Sequence, residues 1–124
     1  MEILLAFDKV PLLVSLCFIA CDIVTGIAKA FANNEVSSQV MRRGLWHKFA
    51  NIMLLSFAAA CDIAVRVWSE LPDELSTVYV GIAVYICIME GVSILENLCE
   101  INPELSKLDQ FNRFGFKKGG DDTQ

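Results

Sequence analysis

One histidine, three prolines and a deficit of basic side chains narrow what these 124 residues can do. His47, the single histidine, stands beside Trp46 in a basic flank. No Gly-rich phosphate loop, nucleophile elbow or motif of paired metal ligands accompanies it, so the chain reads as no enzyme, with no cofactor. Cys17 and Cys21 lie one helical turn apart, but with one histidine and no second cysteine pair at ligand spacing they make no metal site. The five cysteines are an odd number, and four of them, Cys17, Cys21, Cys61 and Cys87, fall in apolar runs where small side chains pack. Lys and Arg number 10 against 15 Asp and Glu, a net charge of −5 that argues against a nucleic-acid partner. The N-terminus carries Glu2, Asp8 and only Lys9. It therefore lacks the basic region and small-residue cleavage site of a secretory leader, and the first apolar run is expected to be retained.

What the chain has in excess is apolar sequence. Hydrophobic residues make up 55% and the mean hydropathy is +0.50, too apolar for an ordinary soluble domain of this size. Crossing roughly 30 Å of hydrocarbon takes about 20 apolar residues in a helix. Three runs qualify, at 10–32, 49–68 and 78–95. The expected fold is all-α: an integral membrane domain over residues 1–111 with three transmembrane helices, then a flexible tail over 112–124 rich in Gly and charge.

Local signals set the ends. Pro11 suits a first helical turn and Asn33-Asn34 a stop. Ser37 or Ser38 can cap an early start to the second helix, and Leu71-Pro72-Asp73-Glu74 breaks the chain before Ser76 or Thr77 caps the third. Asn102-Pro103-Glu104 reads as the start of a short amphipathic helix carrying Leu105 and Leu108. Lys29, Arg42, Arg43 and Lys48 flank the first connection, and Lys107, Arg113, Lys117 and Lys118 occupy the tail. The second connection holds Glu70, Asp73 and Glu74. The positive-inside rule then predicts N-out and C-in. Arg42, Arg43, Trp46 and Lys48 are expected at the membrane surface, with Trp46 and Trp68 anchoring the two ends of the second span.

Each span also carries an acid, Asp22, Asp62 or Glu90, at about 2.5 to 3.5 kcal/mol apiece at mid-helix on insertion scales. Several apolar residues are needed to offset one of them. Such groups should face other helices or water. Ser15, Asp22 and Lys29 recur every seven residues beside Thr25 and Gly26; Asp62 precedes Arg66 by four, with Asn51 on a similar face; Glu90, Ser93 and Asn97 extend back to Ala83 and Tyr79. Gly26 and Ala30, Ala60 and Ala64, and the Ala58-Ala59-Ala60 run permit close helix approach. One reading is that these stripes pair with one another inside a monomer. The other is that Ser15, Asp22, Gly26, Lys29, Asp62, Arg66, Glu90, Ser93 and Asn97 line a pore or join subunits, three spans being too few to enclose a sizeable pathway.

Taken in order, Asp22-x-x-x-Gly26-x-x-Lys29-Ala30, Ser37-Ser38 with Arg43-Gly44-x-x-x-Lys48, Asp62, and Glu90-x-x-Ser93-Ile94-Leu95-Glu96-Asn97 resemble the three-span holin family of phage lysis and toxin secretion. The resemblance covers about residues 22–103, and the acidic Asp121-Asp122 end departs from the family's basic tail. It implies accumulation in the bacterial cytoplasmic membrane, homo-oligomerisation, and timed lesions that release a wall hydrolase or a toxin. It also implies that Asp22, Asp62 and Glu90 restrain early collapse of the inserted pool. A small ion or proton channel and a non-conducting membrane scaffold are the rival functions.

Overall fold

A computed structural model describes residues 7–108; the expected 112–124 tail lies outside that range. The described chain is three long helices and one 3₁₀ turn: α1 Val10–Ala32, α2 Ser38–Val67, α3 Glu74–Ile101, and Pro103–Lys107. All three helices are long and apolar enough to cross a membrane.

The helix ends follow from local chemistry. Pro11 occupies the first turn of α1, where a missing N–H costs nothing. Its end is a Schellman motif: Asn34 adopts the left-handed conformation at φ 53°, Glu35 N–H donates to Ala30 O at 3.0 Å, and Asn34 N–H donates to Phe31 O at 3.3 Å. The second helix begins at Ser38 after an extended Ser37, but no serine side chain caps it. The third begins at Glu74, earlier than a Ser76 or Thr77 cap would allow, because Pro72 O and Asp73 O already accept the N–H groups of Leu75 and Ser76. After α3, Asn102 Oδ1 accepts from Glu104 N–H at 3.2 Å, the expected cap, yet only a 3₁₀ turn follows, with Leu108 exposed.

At 1.5 Å per residue α2 is about 45 Å long, more than the hydrocarbon thickness, so its first turns reach the interfacial layer. The helices alternate in direction, which makes α1 and α3 parallel. Those two pack most closely, and α1 barely touches α2.

The buried positions share one spacing. Ser15, Ile19 and Asp22 on α1, Leu55, Ala58 and Asp62 on α2 with Ala59 adjoining, and Tyr79, Ala83, Ile86 and Glu90 on α3 step by three or four residues, the repeat of a narrow helical seam. The apolar core is small: Ile19, Leu55, Ala58, Ala59, Tyr79, Ala83 and Ile86. Large apolar side chains such as Val24, Phe57, Val84 and Ile88 point outward instead. A surface of that kind in water would be an aggregation liability, whereas in a bilayer it meets a matching solvent. The chain is a multi-pass membrane protein.

Candidate functional site

The seam is where the polar residues meet. Asp22, at 6% exposure, lies ten residues before the end of α1 and faces α2 and α3. Lys48 Nζ donates to Asp22 Oδ2 at 2.5 Å and also to Glu90 Oε2, so one ammonium from α2 serves a carboxyl group from each of the other two helices. Asn51, one turn further along α2, donates through Nδ2 to Glu90 Oε1 at 2.8 Å. Asn97 Nδ2 donates to Asp22 Oδ1 at 3.0 Å and to Thr25 Oγ1 at 3.2 Å. Thr25 Oγ1 in turn donates to Asp22 O at 3.2 Å. Among the described residues no buried side-chain nitrogen or oxygen lacks a partner. That completeness is what burial demands, since an unpaired polar group in a medium without water costs several kcal/mol.

Two further clusters sit toward the start of α1. Arg66 Nε donates to Asp62 Oδ2 at 2.8 Å within α2, and the Arg66 side chain is one-third exposed. The Tyr79 hydroxyl accepts the Leu12 N–H at 3.0 Å and donates to Asp8 O at 3.1 Å, while its ring stacks on Phe7. Leu12 lies in the first turn of α1, whose N–H groups have no partner inside their own helix, so Tyr79 acts as a cap supplied by α3. Ser15 Oγ donates to Ala83 O at 3.3 Å and lies 3.6 Å from Cys87 Sγ.

The stripes read from the sequence therefore converge. Ser15, Asp22, Glu90 and Asn97 are buried, Ser93 is half-buried beside them, and Asp62 is buried against Arg66. Gly26 lies beside Asn97, and a Cβ there would make an ordinary van der Waals contact with Asn97 Nδ2 at 3.6 Å, so space does not demand a glycine. Lys29 stands apart, making a 3.7 Å surface pair with Glu100, a contact of little energetic weight.

Lys48 departs from its expected place at the membrane surface. Its side chain is only 16% exposed, because two carboxyl groups in a dry seam outweigh the solvation its ammonium would find among headgroups. Arg42, Arg43 and Trp46 do stay exposed. The small-residue reading also divides, with Ala58 and Ala59 buried and Ala60 exposed. All five cysteines are free thiols, and Cys17 and Cys21 face outward rather than packing inside.

Sequence periodicity missed two roles. Lys48 precedes Asp62 by two heptads, which puts it on the buried face of α2, and that spacing was the available signal. Nothing in the sequence pointed to Tyr79 as a cap for α1.

A bilayer-spanning bundle knitted by internal charges is the setting for the comparisons. The sequence matches the family model described as the bacteriophage holin family over residues 1–111. The chain belongs to the bacteriophage holin family. It is also 32% identical over 103 residues to an uncharacterized 14.9 kDa protein in the nagH 3′ region of Clostridium perfringens, an alignment covering 82% of this chain and 73% of that one. No solved structure matches. The holin match spans all three helices and the 3₁₀ turn, so the Asp22–Lys48–Glu90 cluster lies within the family region.

Proposed function

We propose that this holin-family chain forms lesions in the bacterial cytoplasmic membrane, with its N-terminus outside and its C-terminus inside, and has no enzymatic activity of its own. It accumulates there as inserted bundles, assembles with copies of itself, and permeabilises the membrane so that a wall hydrolase or toxin can leave the cell. The carrying observation is that polar groups from all three spans pair with one another in one seam of the bundle.

In the closed bundle these groups satisfy one another, so the inserted protein is tolerated by the membrane and silent. Opening the bundle exposes three polar stripes, a state that hydrocarbon rejects and water accepts. Only copies arranged around a water-filled lesion offer each stripe such an environment. The weak contact between α1 and α2 makes that edge the natural place for the bundle to part, with Lys48 as the main polar tie across it.

Reconstitution into vesicles holding a small dye and a fluorescent protein tests this. Release of both above a threshold protein-to-lipid ratio is the expected result. Release of the small dye alone identifies a channel, and retention of both a scaffold. For orientation, a reporter fused to the C-terminus should be active only in the cytoplasm.

A further inference from the structure

We propose that the outer face of α3 around Tyr85 docks on the outer face of α2 around Ser56 of a second copy, a head-to-tail contact between inserted chains. Tyr85 is the residue that calls for it. It is 54% exposed, and its hydroxyl has no hydrogen-bond partner among the described residues. The third apolar run, 78–95, has its middle between residues 86 and 87, so Tyr85 lies about 2 Å from mid-span at the helical rise. Headgroups are then roughly 15 Å away, beyond the reach of a phenol, and hydrocarbon offers no acceptor. A donor left bare at that depth is costly, and a neighbouring chain is the remaining source of a partner.

The outer face of α2 carries a matching group. Ser56 is exposed, and its Oγ donates to Ile52 O at 2.8 Å, which leaves the oxygen free to accept. The depths agree. Asn51 Nδ2 donates to Glu90 Oε1 at 2.8 Å, so positions 51 and 90 share a level, and α2 and α3 run in opposite directions. Five residues on from Asn51 is Ser56, and five back from Glu90 is Tyr85. Copies inserted in one orientation keep that match, so Tyr85 of one meets Ser56 of the next without a shift along the membrane normal.

The rest of the two faces follows the same register. Arg42, Phe49, Ser56 and Ile63 recur every seven residues along α2, with Ala60 beside them; Val78, Tyr85 and Val92 do so along α3, flanked by Gly81 and Glu96. Stepping away from the Ser56–Tyr85 level pairs Phe49 with Val92, Ala60 with Gly81 and Ile63 with Val78. All of these but the half-buried Ile63 are exposed. A Cβ on Gly81 would meet nothing within 4 Å, so packing inside the chain does not require its small size, whereas two backbones approaching at Gly81 and Ala60 do. Charge completes the match. Arg42 and Glu96 lie at the same end of the bundle, about 4 to 5 Å apart in depth at the helical rise. Both are exposed, and neither has an ion-pair partner among the described residues. Each copy presents both faces, so the contact is heterologous and repeats from copy to copy, as a ring or a larger array requires.

This contact rests on the lesion reading, being its assembly step, and disulfide trapping in vesicles separates their failures. The full chain carrying both Ala60→Cys and Gly81→Cys is oxidised beside the parent with its five native cysteines. The double variant should form a ladder of linked dimers, trimers and higher species, and either single variant should match the parent. Adding Arg42→Glu should remove the ladder, and adding Glu96→Arg as well should restore it. Tyr85→Phe should raise the protein-to-lipid ratio at half-maximal energy transfer between labelled copies roughly threefold, the loss of one average hydrogen bond between membrane helices. A double variant no different from the parent, a dimer from Gly81→Cys alone, a ladder indifferent to Arg42→Glu, or an unmoved Tyr85→Phe midpoint would each overturn the proposal. A ladder in vesicles that release nothing would uphold the contact and refute the lesion reading, and release without a ladder would do the reverse.

Discussion

Replacing Lys48 with methionine should loosen the bundle more than any other single change in its polar seam. The substitution keeps the apolar stem and removes only the ammonium. Two carboxyl groups, with side chains 8% and 3% exposed, then lose their common cation inside a dry helix junction. Removing one partner of a buried ion pair costs about 3 to 5 kcal/mol, and the residual exposure of Lys48 points to the lower end, about 3 kcal/mol. Ordinary hydrogen bonds between membrane helices average nearer 0.6 kcal/mol, so the effect should stand clear of them. In the unfolding equilibrium it is a change of roughly a hundredfold. Titrating detergent-solubilised protein with dodecyl sulfate while following helical circular dichroism measures it. Because Lys48 ties α2 to both α1 and α3, the same variant should lyse cells earlier than the parent. Combining Lys48→Met with Asp22→Asn and Glu90→Gln should recover most of the lost stability, since the amides no longer demand a cation. A Lys48→Met stability within about 0.5 kcal/mol of the parent, a shift typical of an unremarkable surface site, would refute the reasoning.

Other consequences are smaller. Tyr79→Phe removes the hydroxyl that joins Leu12 N–H to Asp8 O, so about 1 to 2 kcal/mol should be lost, and hydrogen exchange should quicken in the first turn of α1 before it does elsewhere. Gly91→Ala brings a Cβ to 3.3 Å from the edge of the Phe18 ring; a slight adjustment should accommodate it, whereas Gly91→Leu should separate α1 from α3 and lower the dodecyl sulfate midpoint sharply. Deleting residues 112–124 should leave dye release from vesicles largely intact, because the spans carry it; loss of release would favour the scaffold.

Most of the architecture was legible because membrane spans announce themselves by length and composition. The first span was read at its observed limits, and Asn33-Asn34 and Pro11 marked real ends, since each acts through its own backbone. The longer α2 and α3 overran the apolar runs because helix geometry continues into the interfacial layer, where polar residues are tolerated. Heptad spacing identified the polar stripes but not their partners. Periodicity gives the face of a residue on its own helix, whereas pairing depends on how neighbouring helices are rotated. Lys48 shows the difference: its basic neighbours suggested headgroups, and its position two heptads before Asp62 put it in the seam. Tyr79 was hidden for a related reason, since its role concerns another helix's unpaired N–H groups.

The most direct test of the central claim is induced expression in a bacterial host, with membrane potential, optical density and release of a cytoplasmic enzyme followed with and without a co-expressed wall hydrolase. Abrupt depolarisation after a delay, followed by lysis only when the hydrolase is present, is the predicted result. Graded depolarisation without protein release, or no depolarisation at all, would contradict it.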